Sequence, residues 1–299
     1  MVILPFFYCY GLSLLHTHLR IGGQLLLNNN FIFLASTIKS LNDYRCTGFA
    51  GVPSHFQILM RKTELFKQTE FPYLRYVTQA GGKLQNAFIM EFAESFPSIQ
   101  FFVMYGQTEA TARLSYLPPH LLKAKLGSLG KGIPGVKLKV VNSKGKIVIP
   151  GQMGEIIAKG PNVMLGYFDD PKESSKTIRN GWLYTGDIAT IDHDGFIYLM
   201  ARKKEIIKVG GKRVSPKEIE GVIAMIPGVI NCLVEAVDDE ILGEAIKATI
   251  VMADGGIELN RETIRNFCST KLSNYKIPTI IEIKKEITIS ATGKKTFVK

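Results

Sequence analysis

Through residues 1–104, short apolar runs alternate with longer segments that are apolar on one face only. The runs at 2–7, 24–27, 47–50, 74–79 and 99–104 have strand length, and the segments at 31–41, 54–61 and 84–96 have helix length. This alternation predicts a parallel sheet covered by helices. Over 119–200, Gly, Pro, Asn and Asp punctuate shorter β-type runs at 136–141, 155–159, 187–191 and 196–200, which predicts a small antiparallel barrel or sheet. Asp192-His193-Asp194-Gly195 reads as a hairpin turn, and Tyr184-Thr185-Gly186-Asp187 reads as a carboxylate at a tight Gly turn. From 204 onward a strand at 205–209, a Gly210-Gly211 turn, a helix at 216–226, strands at 229–237 and 245–252 and a helix at 261–272 predict a compact α+β unit. Ser215 is placed to cap the first of these helices, with Pro216 at its first position and Glu218 reaching back to the cap N–H. Asp170-Pro171-Lys172-Glu173 has the same form. The expected fold class is α/β: part of a large domain at 1–203, with 119–200 as its β subdomain, then a small α+β domain at 204–299. No Ser/Gly-rich tract separates them, so Lys203-Lys204 is the expected short hinge.

Composition narrows the function. At 46% hydrophobic over 299 residues, the chain has material for two cores. Of the net charge of +11, nine units fall in residues 1–203. The lysines there are scattered and no nucleic-acid-binding motif accompanies them, so nucleotides or phosphates are the expected anions and nucleic acid is not. Cys9, Cys46, Cys232 and Cys268 form no C-x-x-C pair, which argues against a zinc site or a disulfide framework and for a reducing cytoplasm. The apolar start, MVILPFFYCYGLSLL, lacks a basic leader and a small-residue cleavage site, is interrupted by Pro5, and is too short to span a membrane.

Three loops carry residue types suited to phosphate chemistry. Gln79-Ala80-Gly81-Gly82-Lys83-Leu84 follows a strand and opens a helix, which is either a plain connection or a place for backbone to approach an anion. Met104-Tyr105-Gly106-Gln107-Thr108-Glu109 ends a strand, where open α/β sheets bind ligands, though the same residues would also make a helix cap. The tail, Ser290-Ala291-Thr292-Gly293-Lys294-Lys295, offers a lysine that is either solvated or catalytic.

Taken together and in order, these stretches resemble the adenylate-forming (AMP-binding) superfamily, which includes acyl-CoA synthetases, adenylation domains of nonribosomal peptide synthetases and firefly luciferase. The motifs are Tyr-Gly-x-Thr-Glu at 105–109, Tyr-Thr-Gly-Asp at 184–187, Arg-x-x-x-x-Ile-Lys at 202–208, Gly-Gly-x-Arg-Val-x-Pro-x-Glu-Ile-Glu at 210–220 and Ala-Thr-Gly-Lys at 291–294. Ala201 stands where the family usually has Gly. Residues 127–135 and 154–156 match motifs read as structural.

The resemblance implies ATP-dependent activation of a carboxylic acid as an acyl-adenylate, then transfer to coenzyme A, with ATP/AMP, Mg2+ and CoA as cofactors. Lys294, Thr108, Glu109 and Lys208 are the implied catalytic residues, Glu109 also holding the metal. Gly81, Gly82, Lys83, Tyr105, Gly106, Asp187 and Arg202 are the implied nucleotide-side residues, with Asp187 and Arg202 on the ribose. Tyr8, in Pro-Phe-Phe-Tyr-x-Tyr-Gly-Leu at 5–12, and Gly106 wall the acyl pocket, though Tyr8 reads equally as a core aromatic. Lys204 is the implied pivot. Rotation about it would exchange the Lys294 loop for the 208–213 hairpin, where Gly210, Gly211 and Arg213 make room for the pantetheine thiol.

One departure is large. The family's Ser/Thr/Gly-rich phosphate loop is expected upstream of Pro5, and these 299 residues do not contain it. The expectation is therefore the C-terminal portion of an acyl-CoA synthetase. The alternatives are an enzyme that loads a carrier-protein thiol, or a non-catalytic nucleotide- or CoA-binding protein or split subunit completed by an N-terminal half. The 206–214 stretch lacks the Arg-Gly usual in peptide synthetases, which favours CoA.

Overall fold

The computed structural model describes residues 1–253 and 260–284. Its first sheet runs β1 (Gly48–Gly51), β2 (Tyr76–Gln79), β3 (Gln100–Tyr105), β4 (Ser115–Leu117) and β5 (Lys131–Gly132) in spatial order. The first three strands are parallel, and the last two add antiparallel. Helices α1 (Cys9–Arg20) and α2 (Leu34–Asp43) precede β1, α3 (Pro53–Arg61) and α4 (Leu65–Gln68) connect β1 to β2, and α5 (Asn86–Ser95) connects β2 to β3.

Two expected strands are nearly absent. Val2 makes isolated parallel bridges to Ala50 and Leu27, and the runs at 2–7 and 24–27 pair no further. Pro5 has no N–H to give a ladder, and its carbonyl instead accepts from Tyr8 N at 3.1 Å to close a turn. That turn leads into α1, which the strand pattern did not anticipate.

The core under the first sheet is aromatic. Phe56 of α3, Phe92 of α5 and Phe101 of β3 meet with ring centroids 5.1–6.0 Å apart, two of the three pairs edge-on. Phe88, Ile89 and Phe92 recur at the spacing that keeps one helix face against the strands. Edge-to-face pairs add roughly 0.5–1.5 kcal/mol each beyond the area they bury.

The second sheet has the order β10 (Ile197–Arg202), β9 (Trp182–Ile191), β7 (Gly154–Lys159), β6 (Lys137–Val141), with β8 (Ile178–Arg179) also on β9, all antiparallel. Of the expected barrel or sheet, it is an open sheet, and β5 within 119–200 belongs to the first sheet instead. Asp192 Oδ1 accepts from the Asp194 and Phe196 amides, which makes the expected hairpin turn. Asp170 caps α6 (Pro171–Thr177) by accepting from Glu173 N at 2.9 Å, also as expected.

The third sheet is built on the long hairpin β13 (Val229–Asp239) and β14 (Gly243–Met252). The β11 (Ile207–Val209)–β12 (Lys212–Val214) hairpin meets one end of β14, and β15 (Ile280–Lys284) lies parallel to it. Helices α7 (Pro216–Ile223) and α8 (Arg261–Ser269) contribute Ile219, Ile223, Ile264 and Cys268 to its core. The capping box expected at α7 does not form. The Ser215 hydroxyl donates to the Met200 carbonyl of β10, and the Glu218 carboxylate pairs with Lys276 Nζ at 2.6 Å. Both side chains make tertiary contacts instead, because α7 packs beside β10 and the buried Ser215 finds a strand carbonyl within reach.

Phe56→Ala would remove the side chain shared by the Phe92 and Phe101 pairs. The expected cost is about 3–5 kcal/mol, checked by urea denaturation followed by circular dichroism. A loss below about 1 kcal/mol would mean that this cluster does not hold the first sheet to its helices.

Candidate active site

A cavity of about 770 Å³ opens at the carboxyl ends of β2 and β3, where the first and second sheets meet, with β13 and β14 supplying the far wall. It brings together Tyr8, Gly81, Gly82, Lys83, Tyr105, Gly106, Thr108, Glu109, Asp187, Arg202 and Lys204 from the sequence-derived set. Lys208, Gly210, Gly211 and Arg213 are not among its lining residues. They lie on the β11–β12 hairpin, whose two-residue turn has φ of 52° and 78° at its glycines. Lys294 lies outside the described residues.

Asp187 is the deepest charge in the cavity, 2% exposed. It does not sit at a turn, as the sequence suggested, but within the ten-residue strand β9. There Gly186, with φ of 72°, forms a bulge that shifts the register against β7. The bulge is pinned on both sides: Gly186 N donates to Glu155 Oε1 at 3.1 Å, and Thr185 Oγ1 donates to the Ile156 carbonyl at 2.8 Å. Re-aimed by the bulge, the Asp187 carboxylate accepts from the Tyr105 hydroxyl at 2.6 Å through Oδ2. Its Oδ1 pairs with Arg202 Nε at 2.9 Å, directly across the β9–β10 ladder. Burial raises the Asp187 carboxyl above its ordinary range, while Arg202 and the Tyr105 hydroxyl act against that rise. Burial, reinforced by the Asp187 charge, raises the Tyr105 phenol well above its ordinary value. Tyr105 thus spends its hydroxyl on Asp187 while its ring joins the second sheet's core.

The Gly81 loop forms the facing wall. Gly81 has φ of 85°, and a Cβ there would come within 2.5 Å of the Tyr8 hydroxyl, so backbone and phenol meet only because the side chain is missing. Tyr8 lines the cavity and also packs against the core of Leu4, Tyr10, Ala50, Val52 and Ala80. Lys83 donates to the Leu199 carbonyl at 3.1 Å; burial first, and the neighbouring Lys217 ammonium second, lower its pKa. Thr108 is exposed on a short turn over Cys9, with Oγ1 3.5 Å from Cys9 Sγ. Glu109 accepts from the Tyr167 hydroxyl at 2.9 Å through Oε1.

Among the described residues, no three His, Cys, Asp or Glu side chains gather into a self-sufficient metal site. A half-buried carboxylate on the rim of a nucleotide-sized cavity does fit a Mg2+ that takes its remaining ligands from phosphate oxygens. Sequence reasoning missed Cys9, Asn162 and Tyr167. The last two lie in a stretch with no periodic or charged signal, and only the tertiary fold brings them to the 108–113 turn.

This architecture, a parallel sheet with an antiparallel sheet and a small α+β unit around one cavity, is that of adenylate-forming enzymes. The family model for the AMP-binding enzyme matches residues 1–168, and that for the AMP-binding enzyme C-terminal domain matches residues 218–294. The chain belongs to the AMP-binding enzyme family. It is 34% identical over 292 residues to a long-chain-fatty-acid–CoA ligase of Escherichia coli O6:H1, which covers 97% of this chain and 51% of that protein. It is 32% identical over 298 residues to an oxalate–CoA ligase of Arabidopsis thaliana, covering 98% of this chain and 57% of that one. Among solved structures it resembles o-succinylbenzoate CoA synthetase (MenE) from Bacillus subtilis. The complex of that enzyme with its acyl-adenylate intermediate superposes with a TM-score of 0.86 at 28% identity, over 98% of this chain and 58% of that one. The same enzyme has also been solved with ATP and magnesium ion. The chain spans about half the length of the curated relatives it matches.

Because the folded-state pKa of Asp187 is raised, its ionised form opposes folding. That cost is absent below the ordinary carboxylate range and complete above the raised folded value. Asp187→Asn keeps the shape and an acceptor for Tyr105. It is expected to raise the thermal midpoint at pH 7, with the gain shrinking as pH falls through the folded carboxyl's range. A midpoint below the parent's at pH 7 would show that the Arg202 pair outweighs burial.

Proposed function

We propose that this chain supplies the nucleotide and acyl site of an AMP-forming carboxylic acid–CoA ligase. The observation that carries the reading is the buried Tyr105–Asp187–Arg202 cluster, set opposite the Gly81 loop in one cavity with Thr108 and Glu109 on its rim. A dry carboxylate with one cation partner suits a pair of ribose hydroxyls, which donate to it without adding charge. Arg202 holds the ribose from the neighbouring strand, and Tyr105 fixes the rotamer of Asp187.

Activation brings two anions together: a carboxylate oxygen attacks the α-phosphorus of ATP, the bond to the bridging oxygen breaks, and pyrophosphate leaves. Thr108 donates to the α-phosphate, and the Lys294 ammonium offsets the charge that accumulates there. Mg2+, when bound through Glu109, would neutralise phosphate charge. In the second step the CoA thiol attacks the acyl carbon and AMP departs. We assign that step to the 208–213 hairpin, swung toward the cavity about Lys204, with Lys208 and Arg213 flanking a Gly210-Gly211 turn that leaves room for the pantetheine arm.

The reading includes a cytoplasmic setting, supported by four free cysteines, three of them buried. No helix among the described residues is long and apolar enough to cross a membrane. It also includes further polypeptide, in the same chain or a partner, to cover apolar side chains such as Ile21 (80% exposed), Ile32 (89%) and Phe33 (66%).

Calorimetry with AMP tests the site. Asp187→Ala removes an acceptor for two hydroxyls, and hydrogen bonds to a charged group are worth about 1.5–3 kcal/mol each, so the expected loss of affinity is at least about tenfold. Unchanged affinity would remove Asp187 from the nucleotide site.

In the complete enzyme, Lys294→Ala is expected to abolish ATP–pyrophosphate exchange. Thioester formation from supplied acyl-adenylate should survive. Equal loss in both assays would refute a division of labour between two faces of the small unit.

A further inference from the structure

Residues 160–170 connect β7 to α6, and they are laced to the turn that carries Thr108 and Glu109. Asn162 Nδ2 donates to the Ala110 carbonyl at 3.0 Å and to the Arg113 carbonyl at 2.7 Å. Thr111 Oγ1 donates to the Asn162 carbonyl at 2.8 Å, and Met164 N donates to the Glu109 carbonyl at 2.8 Å. The Tyr167 hydroxyl reaches the Glu109 side chain.

The turn needs this restraint. Thr111 and Ala112 are both left-handed, with φ of 51° and 67°. Such a conformation crowds a Cβ against the backbone and is a true outlier for a β-branched residue. Two in succession persist only where surrounding contacts over-determine them. The connecting segment is itself anchored. Ser174 Oγ accepts from Tyr167 N at 2.8 Å and donates to the Asp170 carbonyl at 2.7 Å.

We propose that Asn162 and Tyr167 are positioning residues for the adenylation step. Asn162 holds the strained turn that presents Thr108, and Tyr167 aims the Glu109 carboxylate at its metal. The proposal rests on the acyl-adenylate reading above. Neither residue lines the cavity, whereas Thr108 and Glu109 do, so both act through the turn. With Oε1 engaged by Tyr167, Glu109 meets a Mg2+ as a preset ligand instead of a side chain that must first be ordered.

Two measurements test this in the full chain. Amide hydrogen exchange needs no ligand. Asn162→Ala is expected to speed exchange at Ala110, Thr111 and Ala112 by about tenfold, the effect of losing one or two hydrogen bonds. Adding Ala112→Gly, which tolerates the left-handed conformation, is expected to restore part of the protection. Calorimetry then separates nucleotide from metal. Tyr167→Phe is expected to leave exchange and Mg2+-free AMP affinity at parental values, while raising the Mg2+ concentration for half-maximal ATP binding about threefold to tenfold. Parental exchange in Asn162→Ala overturns the clamp, and a parental Mg2+ titration in Tyr167→Phe overturns the aiming of Glu109. A parent chain that binds neither nucleotide overturns the adenylate reading and the purpose assigned to the clamp, while exchange still decides whether Asn162 holds the turn.

Discussion

The carboxylate of Asp187 is held almost out of reach of water, and the site is arranged around making that tolerable. An ion moved into a protein interior costs several kcal/mol unless it is paired and hydrogen-bonded. Here the compensation comes from two directions: the Tyr105 hydroxyl at the end of β3, and the Arg202 guanidinium on β10. Because Tyr105 belongs to the first sheet and Asp187 to the second, their hydrogen bond also ties the two sheets together, while the Arg202 pair braces β9 against β10 within the second sheet. The Gly186 bulge is what allows it. Without the register shift the strand would keep a regular ladder against β7, and its carboxylate would not be turned to meet both partners. Burial still holds the Asp187 carboxyl above its ordinary range, so the two partners offset only part of its desolvation.

Much of the fold was legible because its signals are local. The βα alternation, the Asp192–Gly195 turn, the Asp170 cap and the Gly210-Gly211 turn each depend on residues within a few positions of one another, and each appears in the structure. What failed were inferences in which a tertiary contact competes with a local one. Ser215 and Glu218 have the right spacing for a capping box, yet a strand carbonyl and Lys276 capture them first. The run at 2–7 has strand composition, but Pro5 converts it to a turn. At Tyr-Thr-Gly-Asp the composition identified a glycine with special backbone geometry and a carboxylate beside it. Whether that geometry was a turn or a bulge depended on the partner strand, which no local pattern encodes.

The site shows the same division. The ordered motifs hold many of the residues that line the cavity, because loops at strand ends are contiguous stretches, but Lys208, Gly210, Gly211 and Arg213 do not line it. The residues that support those loops escaped notice. Asn162 lies about fifty positions from the backbone it holds, and its value arises only when β7 and the 108–113 turn are adjacent. Tyr8 was undecided between core and wall on composition alone. In the structure it does both, lining the cavity beside Gly81 while packing against the core of Leu4, Tyr10, Ala50, Val52 and Ala80.

The rotation proposed for the second half-reaction would have to part what joins residues 1–203 to the small unit, which includes the packing of Ala224 into the first sheet's core and of α7 beside β10. The ion pairs Lys217–Glu220 and Lys276–Glu218 are each internal to the small unit and would travel with it, and the pair made by Lys203, with Glu155, is internal to 1–203. Facing the first two pairs across the boundary is Lys83, which the Lys217 ammonium repels and the Glu220 and Glu218 carboxylates attract, burial being the main cause of its lowered pKa. The Ser215 hydroxyl on the Met200 carbonyl does cross the boundary, and a neutral hydrogen bond of this sort is worth about 0.5–1.5 kcal/mol net. Breaking it costs far less than breaking the Tyr105–Asp187–Arg202 cluster, which lies wholly within 1–203. The cluster does not depend on that contact, so the proposed exchange of the wall supplied by β13 and β14 would leave Tyr105, Asp187 and Arg202 assembled.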